Sequence, residues 1–243
     1  MNAVSQHQFD RSVGQDEERW SAGSSANGKK SSLNVGPRLV GGTTFGRNDG
    51  IDKAQVVLLG DASLQSLEET RKVIVGWQRQ GLSLMQIYIA GIAESAKVLG
   101  EHWLSDRLSF AECTIGFSRL HQMLHDFSAE FLQEAPQERN GWSLLLVTEP
   151  GAQHSMGLFM LSEFFKQAGW TVTLGVPQDV AEFKHLCQSD WFDAVGVSIS
   201  TDRHLQTLAT LLRQLKETSG NPSLCLFVGG PMALREPMLL ADM

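Results

Sequence analysis

Glu149-Pro150-Gly151-Ala152-Gln153-His154-Ser155-Met156-Gly157 lies between two patterns that decide its setting. Before it runs Leu144-Leu145-Leu146-Val147, an apolar stretch of strand length. After it, Leu158 to Ala168 is amphipathic at helical spacing and stops at Gly169. A buried strand, a glycine-containing loop with a single histidine, and then a helix make a place where a ligand meets helix N-terminal amides. Many such loops are only connections, so the remainder of the chain has to decide.

Downstream the alternation repeats. Thr171–Leu174, Ala194–Ile199 and Leu224–Val228 read as strands. Val180–Gln188 and His204–Leu215 read as helices, and a last helix is expected near Glu236. Repeated β-α units predict a parallel sheet with helices on both faces. The carboxyl ends of such strands form the ligand edge. Three loops fall there: the opening stretch, Ser198-Ile199-Ser200, and Gly229-Gly230-Pro231. Ser198 and Ser200 also suit a helix cap, and Gly229-Gly230 a tight turn. The first loop lacks the glycine pattern of a dinucleotide site, and no P-loop is present.

Upstream the pattern is helical. From Ser63, residues Leu64, Leu67, Ile74 and Trp77 share a face until Gly81. Ser83 with Gln86 forms a capping-box signature for a second helix, closed at Gly100. Ser109 with Glu112 opens a third, carrying Phe110, Cys113, Phe117, Leu120, Leu124, Phe127 and Phe131 on one side. These segments predict a small helical bundle over residues 63–135, with a polar hinge before the sheet domain of residues 142–243. Residues 1–55 are rich in Ser, Gly, Asn and Gln and read as a disordered head without helix-turn-helix periodicity.

Bulk properties narrow the function. The chain has 243 residues, 42% hydrophobic, with a net charge of −7. That charge disfavours a broad nucleic-acid surface, so direct nucleic-acid binding is expected to be weak or absent. Cys113, Cys187 and Cys225 form no metal-spaced pair or disulfide framework, which fits a reducing cytoplasm. No apolar run is long enough for a membrane span, and no secretory signal is visible.

Ala152-Gln153-His154-Ser155-Met156-Gly157, then Ser198-Ile199-Ser200, then Gly229-Gly230 resemble, in order and in spacing, the D-x-H-x-x-G, S-x-L and GG elements of the cobalamin-binding domain of methionine synthase and its relatives. The resemblance implies an α/β fold class: a helical bundle followed by a flavodoxin-like parallel-sheet cobalamin-binding domain. It implies a site of Gly151, Gln153, His154, Ser155, Met156 and Gly157 from the first loop, Ser198 and Ser200 from the second, and Gly229 and Gly230 from the third. His154 would be the metal ligand, reaching cobalt from below and displacing the cofactor's own base. The nucleotide tail would descend into a slot, where Ser198 meets the buried base and the glycines leave room. Ala152 replaces the aspartate that orients the histidine, with Glu149 or Gln153 as candidate substitutes, and Ser200 replaces the usual Leu. Such domains usually continue into a short fifth strand; the sequence stops at Met243, so either that strand lies beyond it or the sheet is one strand shorter than the usual five.

In the bundle, Glu101-His102-Trp103 and, further on, Glu112-Cys113 resemble the motif of light-sensing cobalamin regulators. That likeness implies that Trp103 covers the upper corrin face, with Cys113 where a His would stand. Ordinary core packing is the alternative for Trp103, Glu112 is equally well explained by the capping box, Cys113 reads as core on the apolar stripe, and His102, His121 and His125 are candidate upper ligands. The layout resembles the AerR/PpaA antirepressors of photosynthetic bacteria. Those bind cobalamin and act, in response to light, on a DNA-binding repressor of the PpsR/CrtJ type. The implied protein is a cytoplasmic cobalamin-binding photoreceptor in transcription regulation, without enzymatic activity; hydroxo-, methyl- and adenosylcobalamin all remain open as the bound form. The alternatives are a corrinoid methyl carrier serving separate methyltransferases, which Ala152 disfavours, an adenosylcobalamin mutase subunit, and a light regulator with its own DNA-binding domain.

Overall fold

Ser66 divides what sequence periodicity predicts as one helix. It is extended (φ −161°), ends the helix α1 (Lys53–Gln65), and accepts a hydrogen bond from the Glu69 amide at 3.0 Å to begin α2 (Leu67–Arg79). The computed structural model describes residues 50–134, 138–152, 155–201 and 205–236, with the side chains of 205–208 and 218 left aside. Helix α1 starts ten residues' worth of pattern ahead of Ser63 because Asp52 and Gln55 form a reciprocal capping box. Its stripe is weak in the sequence because Val57 and Leu58 are exposed while Val56, Leu59 and Ala62 are buried.

The second predicted helix is α3 (Leu84–Gln86), a π-helical segment (Ile87–Ala93) and α4 (Glu94–Leu104) in succession. The Ser83–Gln86 capping box forms as expected. Gly100 does not close it; α4 continues through Trp103, and Ser105 donates its amide to the Glu101 carbonyl at 3.0 Å. Helix α5 (Phe110–Asp126) opens on the Ser109–Glu112 box, and Phe127 separates it from α6 (Ser128–Glu134). Leu59, Ile74, Trp77, Tyr88, Leu99, Leu120 and Phe131 make the bundle core, and Cys113 belongs to it. The Tyr88 hydroxyl donates to the Leu124 carbonyl, which satisfies the one polar atom of a fully buried ring.

The sheet is parallel, in the order β2 (Thr171–Gly175), β1 (Ser143–Thr148), β3 (Ala194–Ser198), β4 (Cys225–Gly229). Helices α7 (Met156–Gln167), α8 (Val180–Gln188) and α9 (Leu205–Thr218) connect the strands, and a short α10 (Pro231–Arg235) follows β4. Proline at the first helical position of α10 gives up an amide the helix does not use, and the helix expected from near Glu236 falls on residues 237–243, outside the described residues. One face of the sheet packs Leu145, Val147, Val195 and Val197 against Phe183, Leu211, Leu212 and Leu215. The other sets Leu144, Leu146 and Ala194 against Leu158 and Phe165 of α7.

Helix α7 is buried from both sides. Met156, Phe159, Met160 and Phe164 turn to the bundle core, and Leu158 and Phe165 to the sheet. Two polar links reinforce the bundle side: the Ser128 hydroxyl with the buried Glu163 carboxylate, and Gln167 Nε2 donating to the Phe131 carbonyl at 2.7 Å. Bundle and sheet therefore share the helix that follows the opening stretch. No helix among the described residues is long and apolar enough to cross a membrane.

Candidate functional site: a slot at the carboxyl edge of the sheet

Strand pairing aligns the three loops. Thr148 stands opposite Ser198, and Ser198 opposite Gly229. In a parallel sheet, partners in register project to the same face. Thr148, Ser198 and Gly229 therefore form a row at the carboxyl ends of three strands, on the α7 side. One layer below lie Leu146, Gly196 and Phe227.

Between these rows and α7 is a cavity of about 270 Å3. Gly157, Leu158 and Leu161 of α7 line one wall, and Ser198, Ser200, Gly229 and Gly230 the other. Five of the residues singled out in the sequence thus meet at one slot. Gly196, Phe227, Leu146 and Leu161 also line it, and the motifs did not point to them. The period of two along β1, β3 and β4, counted back from Ser198, would have found the strand residues.

The two consecutive glycines serve different ends. A Cβ on Gly229 would meet nothing within 4 Å, so the space beside it is open. Gly230 has φ +98°, and its Cβ would come within 2.6 Å of the Ile199 carbonyl and 2.8 Å of the Ser198 hydroxyl. Gly230 is glycine because the chain turns in the left-handed region against β3; the room expected of both glycines lies at Gly229.

In the first loop, Gly151 is also left-handed (φ +77°) and its amide donates to the Pro177 carbonyl at 2.9 Å. Ala152 closes a turn onto the Glu149 carbonyl at 3.1 Å. Gln153 and His154 lie outside the described residues. Ser155 precedes α7 without a side-chain cap, and Met156 packs on the bundle. Glu149 is 3% exposed. Its carboxylate accepts the backbone amides of Ser200 at 2.9 Å and Thr201 at 3.1 Å. Neighbouring Thr148 has a fully buried hydroxyl with no hydrogen-bond partner among the described residues.

In the bundle, Trp103 is 44% exposed and meets Phe110 edge-on, 6.1 Å between ring centres. It is not core. Glu112 is held by Ser109, whose hydroxyl and amide both donate to it and keep its carboxyl below the usual range. His121 and His125 stand one turn apart on α5, rings 4.8 Å apart, and His125 lies 3.9 Å from the Phe159 ring of α7. His121 Nε2 is buried and unpartnered among the described residues, and burial, then His125, lower its pKa. His102 is in the last turn of α4, on a different helix.

The residues at the slot fit a cobalamin. An apolar cleft kept open at Gly157 and Gly229, with Ser198 and Ser200 in its wall, takes a flat heterocycle that carries a polar atom. Comparisons with known proteins agree. The B12 binding domain family matches residues 142–242. A protein of Rhodobacter capsulatus described as an uncharacterized 20.5 kDa protein in the bchF-crtJ intergenic region is 27% identical over 151 residues, 62% of this chain and 78% of that one. The monomethylamine corrinoid protein of Methanosarcina barkeri superposes with a TM-score of 0.59 at 14% identity, over 71% of this chain and 82% of that one, which shows the same fold of helical region and parallel sheet. Residues 142–242 match the B12 binding domain family, and the chain binds cobalamin.

Proposed function

We propose that this chain is a light-responsive transcriptional regulator, an antirepressor that acts on a DNA-binding repressor of photosynthesis genes. The observation that carries the reading is the relative's setting. Its description places it beside crtJ, and the AerR/PpaA resemblance implies a repressor of that name and type as the partner. Ala152 supports it, because the aspartate that manages the histidine–cobalt bond in methyl transfer is missing. Bound cobalamin supplies a cobalt centre whose upper bond is light-sensitive.

The chain's own residues divide the work. His154 would hold the cobalt. Ser198 and Ser200 meet the nucleotide tail in the slot, and Gly157 and Gly229 leave it room. Trp103 covers the upper face from the bundle. Helix α7 begins just after His154 and is packed into the bundle core, so a change at the corrin reaches the bundle through a rigid neighbour.

The test is direct. The full chain is loaded with hydroxo-, methyl- and adenosylcobalamin, and spectra are recorded in darkness and after illumination. The repressor's DNA affinity is then measured with each state. The reading expects a light-dependent spectrum and a repressor that releases DNA in only one state. His154→Ala should lose the histidine-ligated spectrum and most of the binding. A methyl carrier is the second reading, favoured by the architecture shared with the monomethylamine corrinoid protein. It would be marked by turnover of bound methylcobalamin with a methyl acceptor and by indifference to light.

A further inference from the structure

The geometry points to Glu149 as a positioning residue for the nucleotide-tail subsite, acting through the β3–α9 loop and not through His154. The inference rests on the reading that the slot takes the tail. A carboxylate that is 3% exposed is costly unless its charge is met. Among the described residues no cation pairs with it. Backbone meets it instead: Oε1 accepts the amides of Ser200 and Thr201, and the Thr201 hydroxyl lies 3.4 Å from Oε2. Hydrogen bonds to an ionised acceptor are the stronger kind.

Glu149 grips the same loop a second time, since its own amide donates to the Ser198 carbonyl at 2.9 Å. The remaining polar groups of that loop are tied to the third one. Ile199 donates to the Gly229 carbonyl at 2.8 Å and accepts from the Met232 amide at 3.0 Å. Arg235 donates to the Ser200 carbonyl at 2.9 Å. With amide and carbonyl groups engaged on both sides, Ser198-Ile199-Ser200 is a fixed strut, and the two serines that line the cavity stand on it. Remove the carboxylate and two part-buried amides lose their acceptor, so the strut is released on the β1 side.

This arrangement also separates two roles for the acid. A group that orients His154 acts on any corrinoid whose cobalt the histidine binds. A group that holds the strut acts only on corrinoids with a nucleotide tail. Aquocobinamide, which has the corrin but no tail, tells them apart.

The experiment measures dissociation constants for hydroxocobalamin and aquocobinamide by absorbance titration of the full-length wild type, Glu149→Ala, Glu149→Gln and Ser198→Ala, with a thermal melt on each. For Glu149→Ala we expect hydroxocobalamin affinity to fall about tenfold or more while aquocobinamide affinity stays near wild type. Glu149→Gln, whose amide oxygen still accepts both backbone amides, should restore the ratio to within about threefold. Should Glu149→Ala fail to fold, Glu149→Asp takes its place, keeping the charge and withdrawing it by one methylene, with the same selective loss expected. An unchanged ratio in the folded Ala or Asp variant overturns the inference, as does an equal loss for both corrinoids or a Gln variant as weak as Ala. If Ser198→Ala alone shifts the ratio, only the role of Glu149 falls. If neither shifts it, the tail-slot reading falls with it.

Discussion

Around Phe131 the molecule has no space left. The ring stacks on Tyr88 with centres 4.7 Å apart, meets Phe164 of α7 edge-on at 5.1 Å, and is fully buried. Around Gly229, on the sheet side of the same helix, a methyl group would touch nothing within 4 Å. One side of α7 is packed to completion and the other keeps an open slot beside a Thr148 hydroxyl that has no partner among the described residues. Close packing is the default of protein interiors, so an open apolar slot is a departure that a ligand explains. The difference teaches that the bundle side of α7 carries stability and the slot side carries binding, and substitutions can separate the two.

The largest effect on stability is expected at the closed side. Phe131→Ala removes a ring from three helices at once and should cost about 3–5 kcal/mol, read as a shifted denaturant midpoint. Because α7 then loses its bundle support, cobalamin affinity should fall too. A loss of binding without a shift in midpoint would break the division just drawn.

The adjacent glycines sharpen it. Gly230→Ala forces a side chain into a left-handed turn against the Ile199 carbonyl, at an expected ~1–3 kcal/mol of folding stability. Gly229→Leu, by contrast, should leave the midpoint of the cofactor-free protein within about 0.5 kcal/mol and reduce hydroxocobalamin binding strongly. Equal behaviour of the two variants would mean that the space beside Gly229 is not the binding slot. Smaller still is Trp103→Ala. With its ring 44% exposed and Phe110 as its one aromatic neighbour among the described residues, its removal should cost under about 1 kcal/mol in the cofactor-free protein, while altering the absorbance of bound cobalamin.

The same contrast governs what the sequence could reveal. The four strands, and the helices opened by the Ser83 and Ser109 capping boxes, carry their signals locally, as alternation or as a pair of residues three apart. Helix α1 was hidden because its first turns expose Val57 and Leu58 next to buried Val56 and Leu59, which blurs the period. The π-helical segment has no compositional mark, and the break at Ser66 depends on which amide its hydroxyl captures. At the site, Ser198, Gly157 and Gly229 were legible through spaced motifs. Glu149 was noticed as an acid near the histidine, but its partners lie some fifty residues on, and only the fold shows them. Trp103 could be read as core or as cap, and its exposure decides only against the core.

The smallest expected effect lies where bundle and α7 meet at His121. Its ring lies 5.7 Å from Phe159 and 4.8 Å from His125, and Nε2 is buried without a partner among the described residues. Burial first, and the neighbouring His125 second, hold its pKa below the ordinary value. In the unfolded chain the imidazole titrates near 6.5. As pH falls below that value the unfolded state takes up the proton first, so the folded state loses ground until its own lowered pKa is passed. Above about 7 the group has no effect on stability. Denaturant midpoints of the cofactor-free protein at pH 7.5, 6.5 and 5.5 should therefore show an acid-side decline that His121→Gln reduces. Were the decline identical in the variant, the packed side of α7 would have no acid-sensitive point at His121, and protonation elsewhere would account for the slope.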